Sequence, residues 1–200
     1  MLVSGTLADS FKPLAKRYAI AYEIFLVLGG SIIIALSAQL AIGWPVPITG
    51  QTFAVLMLAA LYGRVRAITT VLAYIIEGLA GLPVFAGFKF GPAALFGPTG
   101  GYIIGFLAAA YIVGALSEKG WDRFFGKTVI SMCIGNAVIY AFGLSWLYCL
   151  LSAGKIAGSF NTMLERGLFL FIPGDLLKII LAAILLPAGW KTLSKFSANR

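Results

Sequence analysis

The stretch FIPGDLLK, Phe171 to Lys178, sets an acid and a base three residues apart inside a run that is otherwise apolar. A charged side chain near the centre of a bilayer costs at least ~2.5–3.5 kcal/mol. Asp175 and Lys178 persist there only if they pair, face a polar cavity or hold a ligand. Their i, i+3 spacing puts both on one helix face. Pro173 and Gly174 come just before them. Proline in a first helical turn lacks only an N–H that would have no partner there. The pattern therefore predicts a helix that restarts within the membrane and turns its positive dipole end toward whatever lies beside it. Two readings are open on these residues alone: an ion pair that neutralises itself, and a binding site.

The rest of the chain supplies the membrane. It is 60% hydrophobic and 11% charged, contains no His, and has a mean hydropathy of +0.98, whereas soluble domains are roughly 25% charged. An all-α membrane protein follows, a six-transmembrane-helix bundle forming one integral domain over residues 1–200. Spans are expected at about 20–42, 52–63, 67–82, 99–116, 128–151 and 167–187, each close to the ~20 residues that a bilayer requires. No room is left for a soluble catalytic domain. The first apolar run, from Ile20, reads as a span rather than a cleaved leader.

The net charge of +8 is distributed by topology. Lys12, Lys16 and Arg17 precede the first expected span, and Arg64 and Arg66 separate the second from the third. Lys119, Arg123 and Lys127 separate the fourth from the fifth, and Lys191, Lys195 and Arg200 follow the sixth. Basic residues on alternate connections are the positive-inside pattern, which predicts that both termini are cytoplasmic. A nucleic-acid surface needs such charges side by side, so none is expected. Residues 1–17 read as a short interfacial segment with Phe11, Leu14 and Tyr18 against lipid. Glu23 reads as interfacial, and Glu77, near the outer end of the third span, as solvated, capping or buried.

Cys133 and Cys149 both fall in the fifth span, sixteen residues or ~24 Å of helix apart, too far to bridge. They read as small apolar core residues. With no His, neither a transition-metal centre nor a thiol–imidazole site is expected, and no cofactor is implied.

Two connections on the side opposite the basic loops are unusual. IGWPVPITGQT, Ile42 to Thr52, carries two prolines and two glycines, so continuous helix is forbidden there. Pro45, Val46 and Pro47 make a stiff strip, Trp44 suits the interface, and Gln51 opens the next helix as a cap or a ligand contact. Residues 78–102 form the longest stretch read as non-helical, rich in glycine yet apolar and aromatic. A solvated loop would be polar; this one must pack on something, either as a lid over a cavity or as a re-entrant loop in the membrane. Lys89 is its only cation. Residues 152–166 read as a polar external loop.

The polar intramembrane set is Gln51, Tyr74, Asn136, Tyr140, Asp175 and Lys178, with Lys89 above it. Asn136 and Tyr140 lie one turn apart on one face of the fifth span. One carboxylate, ammonium groups, amides, phenols and many aromatics suit a small amphipathic anion, with Lys taking a carboxylate and Asp accepting N–H donors. The chain has no P-loop, so an ATP drive must come from a partner. Small-xxx-small pairs at Ser31/Ala35, Ser37/Ala41 and Gly101/Gly105 mark helix faces open to close approach, within the bundle or from another subunit. A membrane enzyme using Asp175 and Lys178 as acid and base on a small amphipathic or lipid substrate is the alternative. It lacks a His and a second nearby carboxylate.

VPITGQTFAVL (Val46 to Leu56), GLPVFAG (Gly81 to Gly87), GPTGGYIIGF (Gly97 to Phe106) and FIPGDLLK together resemble the BioY family, with weaker echoes at ALSAQLAI (Ala35 to Ile42) and AVIYAFGLSWL (Ala137 to Leu147). The resemblance implies the fold of the biotin-specific S components of energy-coupling factor (ECF) transporters: six membrane helices in a bacterial-type cytoplasmic membrane, external lid loops, and no ATPase of its own. It implies biotin as ligand, a transmembrane T subunit and ATP-binding subunits as partners, and Asp175 and Lys178 as the biotin-contacting pair. Lys89 would assist at the valerate carboxylate. Tyr102, in the GPTGGY element, joins the expected binding residues. Ser31/Ala35 or Ser37/Ala41 would present the face of the first helix to the T subunit. Oligomeric state is left open.

Overall fold

The apolar segments become helices because an α-helix pairs its interior N–H and C=O groups within itself, as backbone crossing lipid must. The protein is described by a computed structural model over residues 5–42 and 46–198; Trp44 and Pro45 fall outside the described residues. A 3-10 turn at Ala8–Phe11 leads into α1 (Lys16–Gln39). A small ribbon follows, β1 (Ala41–Ile42) antiparallel to β2 (Ile48–Thr49), with Ala41 opposite Thr49 and Ile42 opposite Ile48. Then come α2 (Gln51–Tyr62), α3 (Arg64–Leu79), the short α4 (Gly91–Leu95), α5 (Gly100–Glu118) and α6 (Phe125–Ser152). The chain ends with α7 (Phe160–Leu164), a π-helical turn at Glu165–Phe169, and α8 (Ile172–Ala198).

Among the described residues, four helical runs are long and apolar enough to cross a membrane: α1, α5, α6 and Phe160–Lys195. With the shorter α2 and α3 the bundle is consistent with six membrane helices, and the protein is an integral membrane protein. Helix α2 has 12 residues and rises only about 18 Å, short of the ~30 Å hydrocarbon core. The ribbon leads directly into its first turn, where Thr49 Oγ1 accepts the Gln51 N–H at 3.2 Å. Two stretches expected to be irregular carry helix: residues 78–102 contain α4, and residues 152–166 contain α7.

Helix α5 is the hub, packed against α2, α3 and α6. Its small-residue face makes this close. A Cβ on Gly101 would stand 2.2 Å from the Trp146 Cβ, and one on Gly105 3.1 Å from the Ile139 Cα. The Gly101/Gly105 pair thus serves α6, inside the bundle.

The small residues of α1 also face inward. Ser31 is fully buried, and its hydroxyl donates to Leu28 O at 2.9 Å and to Glu77 Oε1 of α3 at 2.7 Å. A Cβ on Gly30 would meet Thr70 Cγ2 at 2.7 Å. Ser37 accepts the Gly50 N–H at its carbonyl, and Ala35, Ser37 and Ala41 are half-buried. Ser31 therefore faces α3 within the bundle, whereas Ala35 is half-buried against the edge of the core. What α1 turns outward is aliphatic and aromatic: Phe25, Leu28, Ile32 and Leu36 are exposed. Of the roles open to Glu77, the structure selects an inward one, as the half-buried acceptor that a buried Ser31 needs. The two cysteines also differ from expectation, since both are exposed on α6 rather than set in the core.

At the end of the bundle that carries both termini, charges knit the first turns together. Arg66 bonds Glu23 through Nε at 2.5 Å and Nη2 at 2.9 Å, and Asp9 at 2.7 Å; Lys12 reaches Glu23 at 2.7 Å. Phe11, Leu14 and Tyr18 point outward, as expected of an interfacial segment. Burial opposes ionisation of Asp9, but bonds from Thr6 and Arg66 outweigh it and hold the carboxyl below its ordinary 3.8. A depressed acid stabilises the fold above its unfolded pKa and ceases to do so as pH falls through its folded one. Asp9→Asn is expected to lower stability at pH 7 by about 0.5–1 kcal/mol, as for a solvent-screened pair, and by less as pH drops below 4. Thermal unfolding in detergent across that range checks it; a deficit constant with pH would exclude the ion pair as its cause.

A polar site at the first turn of a short helix

The helix carrying Asp175 does restart. The π-helical turn ends at Phe169, the chain turns through Leu170 and Phe171, and α8 begins at Ile172 with Asp175 N–H bonded to Phe171 O at 2.9 Å. Asp175 thus lies in a first turn, where the helix dipole favours an anion. It is 4% exposed.

Each oxygen of this carboxylate has partners. Oδ1 accepts from Lys178 Nζ at 3.0 Å and from Thr52 Oγ1 at 3.3 Å, and Oδ2 accepts from Tyr140 OH. Lys178 Nζ donates further to Thr49 O at 2.8 Å and Thr52 Oγ1 at 3.0 Å. An ammonium has three N–H donors, and all three are engaged. The acid and base pair with each other, and Lys178 also forms part of the wall of a cavity.

That cavity, about 40 Å³, is bounded by Val46 of the β1–β2 connection, Thr49 of β2, Gln51 and Thr52 of α2, Tyr102 of α5, Tyr140 of α6, and Phe171 and Lys178. The first turn of α2 supplies two of the polar lining residues, Gln51 and Thr52. Gln51 Nε2 donates to Tyr74 OH at 2.7 Å, and its Oε1 accepts from Thr49 Oγ1 at 3.1 Å. Tyr74 is completely buried behind it. Tyr102 OH donates to Gly167 O at 2.7 Å, and the Phe171 ring stands 6.3 Å from the rings of both Tyr102 and Tyr140.

Seven of the eight residues expected to bind ligand gather here, in two tiers. Gln51, Tyr102, Tyr140 and Lys178 line the cavity, Asp175 backs Lys178, and Tyr74 backs Gln51. Asn136 sits one turn below Tyr140, at a second cavity of about 10 Å³ shared with Thr52 and Lys178, and its Oδ1 has no protein partner among the described residues. Lys89 stands apart: it is exposed and is not part of the cavity wall. Thr49 and Thr52 were missed, although a hydroxyl at the mouth of an apolar helix, beside Gln51, is a signal of the same kind.

The glycine-rich segment closes one side by a narrower contact than its composition suggests. Phe85, 2% exposed, packs edge-on against Tyr74 at 5.4 Å, and Ala86 reaches the cavity. Phe88, Phe90 and Phe96 face outward instead. Gln39, at the end of α1, grips this segment through its amide. Its Nε2 lies 3.4 and 3.3 Å from the carbonyls of Val84 and Phe85, and its Oε1 accepts the Phe88 N–H at 3.0 Å. Phe88 is held there at φ +57°, a backbone region costly for a bulky residue.

With this geometry in view, comparison with known proteins is decisive. The model of the BioY family matches residues 10–195. The chain belongs to the BioY family. Among BioY relatives, the biotin transporter BioY of Thermotoga maritima is 36% identical over 141 residues, 70% of this chain and 79% of that one. The biotin transporter BioY of Rhizobium etli is 33% identical over 172 residues, 81% of this chain and 89% of that one. A crystal structure at 2.1 Å of the S-component for biotin from an ECF-type ABC transporter superposes with a TM-score of 0.73 at 27% identity, over 90% of this chain and 95% of that one. The bundle is therefore a BioY-type S-component fold.

Proposed function

We propose that this chain is the biotin-binding, substrate-specific component of an ECF-type transporter. The observation that carries the reading is the buried Asp175–Lys178 pair beside a cavity walled by aromatics, in a BioY-family bundle. The cavity opens at the end opposite the termini and the basic loops. With both termini cytoplasmic, as the charge pattern requires, it faces outward. Asp175 is positioned to accept N–H donors of the ureido group. Lys178, Thr52 and Tyr140 hold its oxygens in place, and Tyr102 and Phe171 cover the apolar rings. The ammonium, with every N–H engaged by Thr49, Thr52 and Asp175, suits a group that fixes the Asp175 carboxylate and not a base that must shed a proton. Energy for release comes from ATP-binding subunits acting through a T subunit, which meets the protein in the membrane.

Purified protein in detergent, without ATP or partners, is expected to bind labelled biotin saturably at about one per chain. A folded, monodisperse preparation that binds none would overturn the reading. The outward surface of α1 also supports membrane partnership, and co-purification with T and ATP-binding subunits is the corresponding test of assembly.

A further inference from the structure

The cavity beside Asp175 has room for only a few waters at about 40 Å³, so most of any ligand must lie elsewhere. A second cavity of about 360 Å³ adjoins it and shares Val46 as a wall. It is bounded by Leu147 of α6, Ile156 of the α6–α7 connection, Met163 of α7, and Arg166 and Gly167 of the π-helical turn. The Tyr102–Gly167 hydrogen bond forms a second seam between the two spaces. π-Helical turns recur at functional sites, and this one places Arg166 immediately before the residue that Tyr102 grips.

Biotin has one charged group, its carboxylate. Lys178 cannot take it without losing a bond, because all three of its donors are occupied. Lys89 is outside both cavity walls. Arg166 is the only Lys or Arg lining the larger cavity, it is exposed, and no hydrogen bond or ion pair engages it among the described residues. A guanidinium is the side chain best shaped to grip a carboxylate through two N–H groups. We infer that Arg166 binds the ligand's carboxylate in the larger cavity while Asp175 reads the other end, so that the two spaces form one elongated site.

This rests on the biotin reading, and the experiment separates the two. Affinities for biotin and for biotinamide, which lacks the charge, are measured on wild type, Arg166→Gln, Arg166→Lys and Lys89→Gln. Wild type is expected to prefer biotin by about tenfold, the scale of one charge-assisted contact. Arg166→Gln is expected to abolish that preference, leave biotinamide affinity unchanged, and be partly rescued by Arg166→Lys. Equal affinities in wild type, or a preference that survives Arg166→Gln and disappears in Lys89→Gln, would overturn the inference while leaving the biotin reading intact. If Arg166→Gln weakens both ligands alike, the residue acts on the fold and the inference is overturned. Failure of wild type to bind either ligand would instead remove the biotin reading and this inference with it.

Discussion

Asp175→Asn is expected to lower biotin affinity by at least about a hundredfold, and Lys178→Met to do likewise. Each change removes one member of a buried pair. Asp175 is 4% exposed, and the Lys178 side chain is 19% exposed. Removing one partner of such a pair typically costs ~3–5 kcal/mol, because the other charge stays buried and uncompensated. Part of that cost will appear as reduced stability and part as lost binding. The double variant Asp175→Asn/Lys178→Met separates the two, since removing both charges relieves the uncompensated one. We expect thermal stability in detergent to recover toward wild type, with a coupling of about 2–3 kcal/mol, while biotin binding stays absent. A double variant that regained both stability and affinity would show the pair to be self-neutralising only. Either single variant binding as wild type does would remove Asp175 and Lys178 from the site.

The cost of charge in lipid is why so much of this site was legible. It requires Asp175 and Lys178 to find partners, and Pro173-Gly174 marks where the helix restarts to supply the dipole. The same pattern places Asn136 and Tyr140 on one face, but four residues of helix rise about 6 Å, which puts them at different cavities. Partner identity was not legible. Thr49 and Thr52 meet Lys178 from 129 and 126 residues away, and local spacing carries no sign of such an approach. The small residues of α1 announced a close neighbour correctly without saying which. Glu77, an acid at membrane depth in need of a donor, was the missing clue that the neighbour is α3. The aromatic segment misled for a different reason. Its composition shows that it must contact something apolar, yet lipid satisfies Phe88, Phe90 and Phe96 as well as a cavity would. Only the geometry set by Gln39 and Phe85 decides which rings turn in.

That geometry makes Phe85→Ala the second change of large effect, with biotin association and dissociation both expected to quicken, dissociation by about a hundredfold. Phe85 is 2% exposed between Tyr74 and Gly78, and deleting such a ring costs about 3–5 kcal/mol where a whole core depends on it. Here the ring anchors a local segment to α3, and the Gln39 amide ties the same segment to α1. The loss therefore falls on local opening rather than on the bundle, and about 2.7 kcal/mol is a hundredfold in the open population. Gly78→Ala reaches the same end from the opposite side. Its Cβ would stand 2.2 Å from Phe85 Cζ, and Tyr74 leaves the ring nowhere to retreat. Gln39→Ala removes weaker contacts and is expected to give about tenfold, as for one or two net hydrogen bonds. Chase of bound labelled biotin reads the rates, and limited proteolysis across residues 82–90 reads the opening. Faster proteolysis with unchanged dissociation would mean that the segment is a fixed wall and that ligand passes elsewhere. If both rise in the order Gln39→Ala, then Phe85→Ala, the segment is a gate, because a wall damaged in place would weaken binding without also speeding association.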